Sequence, residues 1–67
     1  MFQIPEFTEN DFLNTTKPFE FIRDNAKDPL REEQLLQQVE CMAMRRGVRH
    51  LRRMYEFFRQ TEQNTTV

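Results

Sequence analysis

The apolar positions of the chain fall into two patterns. In the second part, Leu36, Val39, Ala43, Gly47, Leu51, Met54 and Phe58 recur at intervals of three and four. That period puts side chains on one face of an α-helix. Asp28-Pro29 precedes the run; Asp is a good N-cap, and Pro suits the first helical position. No proline follows Pro29. The spacing predicts one long amphipathic helix over residues 29–61, about 50 Å in length at 1.5 Å per residue. Gly47 is its weak point, costing roughly 1 kcal/mol relative to Ala inside a helix. A break there is the alternative and would give a helical hairpin. The stripe runs through Gly47, and its neighbours are Arg46 and Val48 rather than the Asn, Asp or Pro common beside a glycine turn, so continuity is favoured. In that reading Ala43 and Gly47 form a flat patch for close helix packing.

The first part carries shorter signals. Pro18 opens a helix reaching about Ala26, with Phe19 and Ile22 on one side. Thr8-Glu9-Asn10-Asp11 matches a capping box of the Asp type and starts a turn carrying Phe12 and Leu13. Pro5 argues against helix in residues 1–7, which read as an extended arm anchored by Phe2, Ile4 and Phe7. The polar residues 62–67 read as a frayed tail. The expected fold is all-α and a single small domain. It has an arm (1–7), short helices (8–27) folded back on a long amphipathic helix (28–61), and a tail.

Length changes the picture. At 67 residues one core is marginal, and domains of this size are usually completed by disulfides, metals or association. The single cysteine, Cys41, forms no internal disulfide, and Cys41 with His50 falls short of a zinc ligand set. No cofactor or metal is therefore expected. The chain contains no serine, which excludes the common hydroxyl triads. On a continuous helix Cys41 and His50 would stand about 13 Å apart by rise, too far to activate a thiolate. The expectation is a protein that is not an enzyme, with Cys41 a small structural thiol and His50 a packed histidine. No apolar run approaches a membrane span and no signal-peptide pattern opens the chain. A lone thiol fits a cytoplasmic or other reducing compartment.

Charge is unevenly divided. Residues 1–40 hold nine acids against four bases, a balance of −5, and residues 41–67 hold six arginines against Glu56 and Glu62, a balance of +4. The second part has no lysine. Arg49 has Arg45 and Arg46 one turn before it and Arg52 and Arg53 one turn after, where like charges repel by roughly 0.2–0.5 kcal/mol per pair. No acid stands at helical spacing from Arg45, Arg46 or Arg49. A solvated basic face is the plain reading.

Two sharper readings compete with it. Arg45, Arg46, Arg49, Arg52 and Arg53 could orient a protein partner with an acidic surface, while Leu51, Met54, Tyr55, Phe57 and Phe58 anchor it. That partner is a second copy or a larger, different protein. The alternative sets the same arginines on a nucleic-acid backbone, since Arg forms bidentate pairs with phosphate. Repulsion from the acidic first part and the absence of a recognised nucleic-acid motif put protein binding first. The expected function is a small regulator, inhibitor or assembly factor acting through an Arg-rich amphipathic helix.

Overall fold

The computed structural model describes residues 4–64. It contains α1 (Glu9–Asn14), α2 (Lys17–Asn25), α3 (Pro29–Arg45) and α4 (Leu51–Asn64), with no strand among the described residues. The all-α class matches the periodicity. The single long helix does not form: residues 46–50 leave the helix, and 29–61 is a helical hairpin.

The reason lies in the backbone around Gly47, whose φ is +78°. The Gly47 N–H bonds the Met44 carbonyl at 3.1 Å, and the Val48 N–H reaches back to the Ala43 carbonyl at 2.9 Å. These two bonds satisfy carbonyls that a helix end otherwise leaves open, in the cap that glycine permits because it lacks a Cβ. Val48 and Ala43 are both buried, giving the apolar contact that accompanies such a cap. Neither Asn nor Pro is needed. Three residues after Gly47, His50 also has a positive φ, 64°, and its carbonyl accepts the Met54 N–H at 3.1 Å, opening α4.

The other helix starts follow their side chains. Thr8 Oγ1 accepts the Asp11 N–H at 3.2 Å and Asp11 Oδ2 accepts the Thr8 N–H at 3.0 Å, a reciprocal capping box. Asp28 Oδ1 accepts the Arg31 N–H at 2.7 Å, with Pro29 at the first helical position. α2 begins one residue before Pro18 and ends at Asn25.

α4 runs back along α3. As α4 advances, its polar contacts retreat along α3: Arg52 meets Glu40 and Glu33, while Tyr55 and Arg59 meet Glu32. Leu35, Leu36, Val39 and Ala43 of α3 face Leu51 and Tyr55 of α4 and Phe19 and Ile22 of α2 across one core. Ile4–Thr8 carries no regular secondary structure, and Phe7 is buried edge-on against Phe12 and Phe21, each ring 6.0 Å away. Phe2 lies outside the described residues. Of the tail, 62–64 belong to α4 and 65–67 lie outside them. The molecule measures 36 × 28 × 15 Å. The outer face of α4 forms the site described next.

Candidate interaction surface

The fold separates the arginines that the sequence groups together. Arg52, in the first turn of α4, grips Glu33 with Nη1–Oε1 2.9 Å and Nη2–Oε2 2.5 Å, and its Nη2 also reaches Glu40 at 3.1 Å. Arg59 pairs with Glu32 at 3.7 Å and Glu62 at 3.4 Å. Arg46 donates to the Met42 carbonyl at 3.2 Å and to Glu6 at 3.3 Å. Arg23 of α2 bonds Asp24 and Glu62, and lies 5.8 Å from the centre of the Phe58 ring. Arg45, Arg49 and Arg53 are exposed and have no ion pair among the described residues. The cluster thus divides into Arg46 and Arg52, which fasten the fold, and three arginines directed to solvent. The continuous arginine face is absent, because the turn takes Arg49 off both helices.

The apolar members divide in the same way. Leu51 is 2% exposed and Tyr55 4%. They belong to the core, which removes them from the surface available to a partner. Met54 and Phe58 are half-buried, and Phe57, one turn after Arg53, is 71% exposed. Gly47 is also reassigned: a Cβ built on it would touch nothing within 4 Å. It serves the turn rather than close packing, while Ala43 is fully buried between helices. Cys41 and His50 are exposed rather than packed.

Met54, Phe57, Phe58, Arg53 and Thr61 line one wall of an open groove of about 520 Å³, with Thr16, which precedes α2, and Phe19 of α2 as the other. Its floor is built by aromatic contacts. Phe19 lies 5.5 Å from Phe58 and 5.8 Å from Tyr55, and Tyr55 stacks on Phe58 at 6.3 Å. Such contacts stabilise beyond simple area burial and fix ring orientation. Among the described residues Arg53 is the only charged one in the lining, and no carboxylate lies there. The sequence puts Phe19 and Ile22 on one side of their helix, but helical spacing alone does not join them to α4. The hairpin at Gly47 is what brings them together.

The α3–α4 seam perturbs both Tyr55 and Glu33. Burial pushes the Tyr55 hydroxyl up, reinforced by the hydrogen bond it donates to Glu32. The Arg52 guanidinium holds the Glu33 carboxyl below the usual carboxylate range, mainly through their hydrogen bonds. Both groups fasten helices, and neither the Tyr55 hydroxyl nor the Glu33 carboxyl lines the groove. No helix among the described residues is long and apolar enough to cross a membrane. No protein-family model matches the chain, and no curated protein or solved structure matches it significantly.

Proposed function

We propose that this protein is a non-enzymatic interaction module, a small regulator, inhibitor or assembly factor, that docks a protein partner on the outer face of α4. The observation that carries this reading is Phe57. A phenylalanine 71% exposed beside half-buried Met54 and Phe58, in a groove with an unpaired arginine, has the composition of an interface centre. Aromatic, Met and Arg side chains are the types enriched there.

Phe57 and Arg53 are the anchoring and orienting residues, with Met54, Phe58 and Phe19 forming the receiving surface. Affinity capture from the native host with wild type and Phe57→Ser in parallel tests the reading, provided the two proteins have equal helicity. Loss of a specific partner from the variant supports it. Identical capture by the two proteins rejects it.

A second reading rests on the three arginines that have no ion pair among the described residues. Arg45, Arg49 and Arg53 could contact a phosphate backbone. Under this alternative, association with a labelled oligonucleotide falls steeply with added salt and is reduced by Arg49→Glu.

A further inference from the structure

The groove beside Phe57 is built for one kind of occupant. Its α4 wall, from Arg53 to Thr61, covers about 12 Å of helix, a little over two turns. That length matches apolar side chains at i, i+3 or i+4, and i+7 on a docked helix, the usual pattern when a helix lies in a groove. The charge is one-sided. Arg53 lines the groove and has no ion pair among the described residues, and none of the described lining residues is a carboxylate.

Of the acids on α4, Glu56 opens in a separate cleft with Glu32, Tyr55 and Arg59, and Glu62 is engaged by Arg23 and Arg59. A two-fold contact between copies of this chain would therefore bring two Arg53 guanidinium groups to one apolar patch with no carboxylate between them. Like charges desolvated together oppose association.

We infer that the occupant is an amphipathic helix of a different protein, carrying Asp or Glu beside its apolar stripe, rather than a second copy of this chain. The partner's apolar side chains enter beside Phe57, and its carboxylates meet Arg53. This rests on the reading of α4 as a docking face and names the partner's chemistry.

The test uses a displayed library of helical peptides of about 16 residues, some 24 Å long. Each is apolar at i, i+3, i+4 and i+7 and varied among Asp, Glu, Lys, Arg and Gln at the flanking positions. It is selected in parallel on the full chain and on Arg53→Glu. That substitution places an acid in the first turn of α4, where the helix dipole favours it, so the variant should fold. Peptides recovered on wild type should be enriched about tenfold in Asp and Glu at the flanks, and those recovered on Arg53→Glu in Lys and Arg. Phe57→Ser should recover neither set.

Failure to recover binders on wild type, or the same charge preference on both proteins, overturns the inference. So does tighter binding of a labelled oligonucleotide than of the acidic peptides at about 150 mM salt. A doubled mass by light scattering that Phe57→Ser abolishes also overturns it, but leaves the docking face standing. Failure of the docking face itself is read separately, from equal host capture by wild type and Phe57→Ser.

Discussion

Arg52 of α4 holds Glu33 of α3 by both ends of its guanidinium, at 2.9 and 2.5 Å. The pair offsets a positive side chain at the positive end of a helix. It also makes the hairpin sensitive to acid. Folding lowers the Glu33 pKa from its ordinary 4.5, so its contribution is complete above that value. It is lost as pH falls through the lowered folded-state value. The thermal midpoint should stay level from neutral pH to about pH 5 and decline below. Arg52→Met should lower the midpoint at neutral pH and flatten the acid-side decline. Parallel midpoint curves for the two proteins would contradict this account of the pair.

Gly47 gives a prediction in which the sign decides between two folds. Inside a continuous helix, Gly47→Ala would stabilise by roughly 1 kcal/mol. At φ +78° with open space around the added Cβ, only the backbone term operates, and the substitution should destabilise by about 1–2 kcal/mol. Urea denaturation with an unchanged slope measures it. His50, at φ 64°, behaves oppositely: His50→Gly relieves a left-handed side-chain residue and should raise the urea midpoint.

Leu51 and Phe57 sit six residues apart on α4 with opposite stability costs. Leu51→Ala should cost about 2–5 kcal/mol, the range for a buried leucine that leaves a cavity. Phe57→Ser should stay within about 0.5 kcal/mol, as for an exposed position. Chemical denaturation of the two variants checks both, and a large loss at Phe57 would place that ring in the core.

Tyr55 is the chain's one tyrosine, and there is no tryptophan, so its ionisation is readable alone in the ultraviolet. Its folded-state pKa is raised above the ordinary 10.0, first by burial and then by Glu32. Stability is therefore complete below that value and falls as pH rises beyond it. Tyrosinate should form well above its ordinary pH and together with loss of helical circular dichroism. Glu32→Gln should lower the transition only in part, because burial remains.

The helical class, the Thr8 and Asp28 caps and most of the core could be read from the sequence. The turn could not, for a specific reason: α3 and α4 bury their stripes against the same core, so the phase of apolar positions continues through the residues that reverse the chain. The signal for the break was Gly47 followed by apolar Val48, the two residues of the glycine cap. The arginine compensation was hidden by the same step. Reflecting the sequence about Arg46 sets Glu40 opposite Arg52, and the structure joins them at 3.1 Å. Read along a straight helix, those residues are 12 positions apart and cannot meet. Arg53 and Phe57 were found because both lie within α4, where helical spacing holds.

The docking face is tested most directly by matching Phe57 against another exposed apolar residue. Leu30, at the start of α3, is 70% exposed and lies outside the groove lining, whereas Phe57 is 71% exposed within it. Wild type, Phe57→Ser and Leu30→Ser are used side by side to capture partners from the native host, with helicity checked for each. The account expects one partner to be retained by wild type and Leu30→Ser and lost by Phe57→Ser. Retention by all three, or loss from both variants alike, would contradict it.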